Sequence, residues 1–411
     1  IPVSEVQAPD GSFSPQASFT NNGINAQSGV TVRYRIVNAG ATEVYNQTAV
    51  IASIASGVTT TVTFPATTLS AGPYTMFARS ELGTDTVPGN DQISGAFTVE
   101  PPLAGTYTVG SGGNFASLTN TGGAFQALNN LGASANITLN VISDLTGETG
   151  AVALNELAGG FSVRIQPVGA PRTITGSSAA ALITLNGADN VTLEGSLTGG
   201  TAANVVGGDP SLRNLSITNT NTGTAAAVIH VGSGTAGAQN VTLRNLNLSG
   251  QDPTTTLIGV SIGGATPGTT GADNDAARVE NCSVQKAIFG IYSAGTSAAN
   301  PNLANVITKN DLTGTSGNRI RRVGILVFNQ DGVEISLNAV GGIDSNESAD
   351  SIGIGVGTQG IDATTVAAGG VVNAVVTRNR IQSVVSASAT GFSAAGITVA
   401  GGTGSNLIAN N

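Results

Sequence analysis

Tryptophan is absent from this 411-residue chain, and four other residue types are nearly so: one Cys, one His, one Met and two Lys (Lys286 and Lys309). With a single Cys282 no internal disulfide can form. Scarce lysine and a net charge of −9 argue against nucleic acid or an anionic membrane surface as partner. No apolar run approaches the length of a membrane span. Aromatic residues make up 4% of the chain, which leaves few rings for stacking on sugars, and charged residues make up 9%. Disorder would favour Gly and Ser, but it also needs low hydrophobicity or high charge. A mean hydropathy of +0.18 with recurrent Val, Ile and Leu excludes it for most of the chain.

What is present is a repeat. Asn214, Asn245, Asn281, Asn310, Asn338, Asn379 and Asn410 return every 28 to 41 residues, each inside a short alternating apolar pattern. In Val241–Leu248 the alternation puts Val241, Leu243, Leu246 and Leu248 on one face of two short strands, with Asn245 at the bend between them. A second signal keeps the same period. It is a Gly-apolar-x-apolar strand that starts at Gly259, Gly290, Gly324, Gly353 and Gly396, with earlier copies at Leu182–Leu185 and Val228–Val231. A fixed unit with variable insertions is the signature of a solenoid. Three strands and three bends per unit predict one coil of a parallel β-helix. Asn245, Asn281, Asn310, Asn338 and Asn379 are expected to stack in one buried, amide-bonded column, with Cys282 pointing inward as a small apolar filler.

On these residues, the stretch from about 105 to 411 resembles the right-handed parallel β-helix of the pectin-lyase-like superfamily. Residues 1–100 read differently. Val30–Val37, Thr59–Phe64 and Tyr74–Arg79 alternate in and out between turn clusters, and about seven short strands imply a β-sandwich. Without Trp or a Cys pair it lacks the antibody-type core. With its Gly89-Asn90-Asp91 turn and closing Ala96–Val99 strand, it resembles immunoglobulin-like adhesion modules of bacterial surface proteins. The expected fold class is therefore all-β. A sandwich occupies 1–100, a linker and short capping helix 101–135, and a right-handed parallel β-helix 136–411, which is expected to continue beyond Asn411. The linker is Glu100-Pro101-Pro102. The helix is read from Ala124, Phe125, Ala127, Leu128 and Leu131, with Thr121 as its cap. The final apolar coil is expected to be covered by more chain or by another subunit.

The sequence is less explicit about chemistry. Enzymes of the superfamily cut acidic polysaccharides, but the series Asn-Thr-Asp, Asp-Asp, Gly-His-Gly, Arg-x-Lys is missing, as is Trp-x-Asp-His. The one histidine, His230, faces away from the coil interior by alternation and is read as a solvated or loop-covered residue rather than a catalytic one. Asp344, Asn346, Glu347 and Asp350 place four oxygen-bearing side chains in seven residues, a candidate calcium loop without the turn glycine of an EF-hand. Asn318–Arg322 is the one basic run, read as a solvated loop or a contact for a carboxylate. The resemblance implies a secreted, non-catalytic bacterial cell-surface protein, a stiff stalk, adhesin or extracellular fibre component. Its partners would be other subunits or glycans, with no nucleic acid and no membrane insertion. The alternative is a secreted carbohydrate-active enzyme, a lyase or glycoside hydrolase on acidic glycans. It would use the loop acids Asp273, Asp275 and Asp331 with Arg278 as helper.

Overall fold

The computed structural model describes residues 11–345, 349–357, 370–387, 391–400 and 404–411. It divides into two compact units: Ile1–Leu103 with Asn130–Gly132, and Ala104–Asn129 with Ala133–Asn411.

The first unit holds six strands among the described residues, one fewer than the spacing suggests. Glu43–Ile54, Gln27–Asn38, Gly72–Ser80 and Gln92–Val99 form an antiparallel sheet in that order. Gln16–Thr20 pairs with Thr59–Thr63 in a second sheet. Alternation sends Val30, Val32, Tyr34 and Ile36 to one face of their strand, where they meet Tyr45, Ile51, Phe64, Tyr74 and Ala17 in a single core. Tyrosines take the place of the missing tryptophan. The Tyr45 hydroxyl donates to the Pro65 carbonyl at 2.5 Å, and Tyr34 packs against Phe64 with ring centroids 5.4 Å apart.

The second unit is a β-solenoid with three long parallel sheets and a short fourth one of Asn302–Leu303, Gln330–Asp331 and Val371–Val372. The chain is thus all-β, with one short α-helix among the described residues. Each coil visits the three faces in turn, as in Thr242–Arg244, Leu246–Ser249 and Ile258–Gly263. Eight coils are complete among the described residues, each rising about 4.8 Å over the last. Leu407–Ala409 begins a ninth turn of the first face, where Leu407 is 54% and Ile408 36% exposed. Inside the coil, Ile229, Val260, Ile291, Ile325 and Ile354 lie in register, one above another.

The repeating glycine is required by close approach. A Cβ at Gly259 would meet Val284 Cγ1 at 2.3 Å, and one at Gly324 would meet Val340 Cγ1 at 2.4 Å. Helix Ala124–Leu131 buries Ala124, Phe125 and Leu128 over the first coil, where Asn129 donates to Ala153 O at 2.7 Å. Thr121 makes no capping bond; Gln126 reaches back to the Gly122 N–H instead. The buried Glu148 carboxylate fastens the preceding segment by accepting from Leu118 N, Thr119 N and Thr119 Oγ1.

The asparagines do not stand in the one column expected of them. There are two columns, one residue apart. Asn310, Asn338, Asn379 and Asn411 form the inner ladder. Asn310 Nδ2 donates to Asn338 Oδ1 (3.0 Å), Asn338 Nδ2 to Asn379 Oδ1 (2.9 Å) and Asn379 Nδ2 to Asn411 Oδ1 (2.8 Å). In this register Cys282 precedes Asn310, whose Oδ1 accepts the Cys282 N–H at 2.9 Å. Burial pushes the Cys282 thiol up to about 12. Asn245 and Asn281 belong to the neighbouring column, which has a left-handed backbone. Lys309, Leu337, Arg378 and Asn410 share it, with φ of 53 to 60° throughout. Asn245 and Asn281 are buried and amide-bonded as expected, Asn281 Nδ2 donating to Asn245 Oδ1 at 2.7 Å. Asparagine there supplies both a tolerated αL backbone and a donor and acceptor, and in the inner ladder the donor and acceptor. Asn310→Ala strands the Cys282 N–H and the Val279 carbonyl. It is expected to cost about 1–3 kcal/mol in urea denaturation. An unchanged midpoint would show that water replaces the ladder at no cost.

Candidate functional site

Several charged residues of the solenoid meet at the bend between the first and second faces. Glu194, Arg244 and Glu280 end successive first-face strands in register. Glu194 is fully buried. Its Oε2 takes Arg164 Nη2 at 3.2 Å and the Arg244 Nε, while its Oε1 takes Asn245 Nδ2 at 2.6 Å and Ser196 N at 2.9 Å. Further along, Glu280 joins Arg278 (3.1 Å) and Lys309 Nζ (2.9 Å).

A long insertion, residues 195–214, lies over this seam. Its Ala202 carbonyl accepts from Lys309 Nζ at 2.9 Å, and Gly207 N donates to the Leu337 carbonyl at 2.8 Å. On the way back, Asp209 N donates to Asn281 Oδ1 (2.7 Å) while Asn281 Nδ2 donates to Asp209 O (3.0 Å), as two strands would pair. Buried Arg213 clamps the return through Asn281 O (3.0 Å) and Gly207 O (2.5 Å). Burial lowers its pKa, against which Cys282, Asp311 and Asp209 act. The insertion thus ties the coil of Glu194 to that of Leu337, and the seam's charges are turned on one another.

His230 sits outside the coil on the third face, in register with Thr184 and Ser261. A glycine-rich turn covers it. Nδ1 lies 3.2 Å from Ser261 Oγ and Nε2 3.1 Å from the Gly264 carbonyl; Gly268 N donates to the same Ser261 Oγ at 3.1 Å. Desolvation lowers the His230 pKa to about 4, although backbone bonds around Gly264, Ser261 and Ala265 pull the other way. A pair with nucleophile-and-base geometry is therefore enclosed, with both residues inaccessible to solvent. Next to it, Phe289, Tyr292, Leu326 and Phe328 form an outer apolar cluster. Burial raises the Tyr292 pKa.

The basic run is not a solvated loop. It opens strand Ile320–Phe328, with Ile320 buried and Arg322 5.6 Å above the Phe289 ring. Arg278 turns to Glu280 rather than to the loop acids. Asp275 and Asp331 stand in one column, two coils or about 10 Å apart along the stack. Asp275 Oδ1 accepts Leu303 N at 2.7 Å, and Asp331 Oδ1 accepts Asn373 Nδ2 at 2.7 Å. The Asp275 pKa is raised, chiefly by burial and further by Asp273.

Of the candidate calcium loop, Asn346 and Glu347 lie outside the described residues. Asp344 is exposed and offers its backbone carbonyl to Arg319, and Asp350 Oδ1 accepts Ser393 N at 2.8 Å. Among the described residues no three His, Cys, Asp or Glu side chains gather as a metal site. No helix among them is long and apolar enough to cross a membrane.

Periodic reading missed a second polar line at the bend after the third face. Asn274 N donates to Asn302 Oδ1 (3.2 Å), and Asn305 Nδ2 donates to Gln330 Oε1 (3.2 Å), all four residues being buried. The 28-residue step from Asn274 through Asn302 to Gln330 is the signal that could have revealed it. No family model matches the chain, and a search of curated proteins finds no significant match.

Proposed function

We propose that this chain is a non-catalytic structural or adhesive element of an extracellular surface. In this reading the solenoid is a stiff scaffold and the sandwich a recognition module. The observation that carries it is the bend seam: the acids and bases of successive coils are spent on each other and on the 195–214 insertion, which is how a scaffold uses charge. The ladder adds to the same stiffness. On this proposal the solenoid is right-handed, as parallel crossovers almost always are, and of the pectin-lyase-like kind. Its partners are subunits of a surface assembly or glycans, and its setting is a secreted or cell-surface one, as in bacterial adhesins.

The test is incubation of the full chain with pectate and alginate, with and without calcium. The expected outcome is no release of unsaturated sugars or reducing ends. Reproducible cleavage that Asp275→Asn abolishes would overturn the proposal and establish a carbohydrate-active enzyme.

A further inference from the structure

Three connections meet at one end of the sandwich: residues 21–26, 55–58 and 81–91. The first two are laced together, with Asn21 N donating to Val58 O at 3.0 Å, Gly57 N to Asn21 O at 2.7 Å and Ser56 Oγ to Gly23 O at 2.6 Å. The third closes over a cavity of about 480 Å³. That volume falls in the range of small-ligand sites, roughly 300–1,000 Å³. Its floor reaches the core through Val30, Ile51, Ile54 and Ala78.

Two features give the cavity a chemical bias. First, the lining includes two exposed aliphatic residues, Val87 at 56% and Ile93 at 42%, and the other two connections each expose one of their own, Ile24 at 91% and Val58 at 45%. Second, the cavity is lined by Asp85 and Asp91 and by no Lys or Arg. The Oδ1 of Asp85 accepts from Val87 N and that of Asp91 from Ser80 Oγ, each at 2.8 Å. The Oδ2 atoms have no partner among the described residues. The nearby Glu81 is already held by Arg33 at 2.6 Å. An apolar floor, an aliphatic rim and two half-satisfied carboxylates complement an aliphatic stem that ends in a cation.

The geometry points to this loop end as a docking site for a basic-aliphatic protein segment, one that inserts a lysine side chain flanked by apolar residues. The stem fills the floor, and the ammonium meets Asp85 and Asp91, as amphipathic side chains divide between apolar and polar surroundings. A second copy of the chain, itself carrying −9, is the poorer electrostatic match. The inference gives the adhesive reading its partner chemistry and rests on that reading for its biological use. Binding is measured separately from cleavage, so either can fail alone.

The test uses the full chain with Ile and Val methyl groups labelled for NMR and three probes: hexylammonium, hexanol and hexanoate. Hexylammonium is expected to shift Ile24, Val58, Val87 and Ile93 with a Kd of about 1 mM. Hexanoate is expected to shift none of them, and hexanol to bind at least about tenfold more weakly than hexylammonium. A Val-Lys-Val peptide should reproduce the shifts, and its Nε-acetyl-lysine form should not. Asp85→Asn with Asp91→Asn keeps both Oδ1 acceptors, so the fold is retained, yet it should weaken hexylammonium at least about tenfold. Glu43→Gln, on the outer face of the four-stranded sheet, should leave it unchanged. Equal binding of the three probes, shifts elsewhere only, or full affinity in the double variant would overturn the assignment.

Discussion

Glu194→Ala is expected to lower the stability of the solenoid by about 3 kcal/mol, read as a fall in the urea midpoint. The carboxylate is fully buried and takes four donors: Arg164, Arg244, Asn245 and Ser196 N. Removing one partner of a buried pair typically costs about 3–5 kcal/mol, because the remaining charges lose their counter-charge without regaining full hydration. The two guanidiniums are 33% and 26% exposed in their side chains, so water recovers part of that loss and the lower end of the range applies. Glu194→Gln keeps the acceptor for Asn245 and loses the charge, so a smaller loss is expected. A change below about 1 kcal/mol for the alanine variant would mean that the seam does not hold the coils together.

The second large effect is acid lability centred on His230. Its folded pKa is lowered to about 4 from 6.5, chiefly by desolvation, and its partners, the Ser261 hydroxyl and the Gly264 carbonyl, are neutral. The unfolded chain takes up the proton first, so stability is full above about pH 6.5 and declines as the pH falls towards 4. The two values differ by enough to remove about 3 kcal/mol over that window. Below about pH 4 this contribution flattens. The check is urea midpoints at pH 7 and pH 4 for the native chain and for His230→Gln. The variant should lose about 3 kcal/mol less between the two pH values. Parallel declines would assign the acid sensitivity to other groups.

The fold was legible where chemistry repeats at the coil period. Strand alternation recurs on every coil because every coil needs an apolar interior, and the Gly column runs from Gly259 through Gly290, Gly324 and Gly353 because the chain approaches closely there. The ladder was legible in kind but one residue out of register at Asn245 and Asn281, because the αL bend and the amide stack both favour asparagine at adjacent positions. The insertion was not legible, since Gly207, Asp209 and Arg213 meet Leu337 and Asn281 once, with no period to announce them. For His230 the sequence left a solvated and a loop-covered outer face open, because alternation says which way a side chain points but not that the turn around Gly264–Gly268 folds over it. The sandwich cavity depends on three connections of unrelated sequence meeting at one end, and such coincidence leaves no pattern along the chain.

A stack of coils in contact only with neighbours would fray from its ends, one unit at a time, as linear repeat arrays do. The 195–214 insertion changes that arithmetic. Gly207 bonds Leu337 across 130 positions, so the docked insertion spans every coil between them. None of those coils can open alone without also undocking it. This middle block should therefore exchange its amide hydrogens as one cooperative unit, while the turns outside it exchange separately. The same contact is expected to form late in folding, because Gly207 finds its acceptor only once the coil of Leu337, 130 positions further on, is in place.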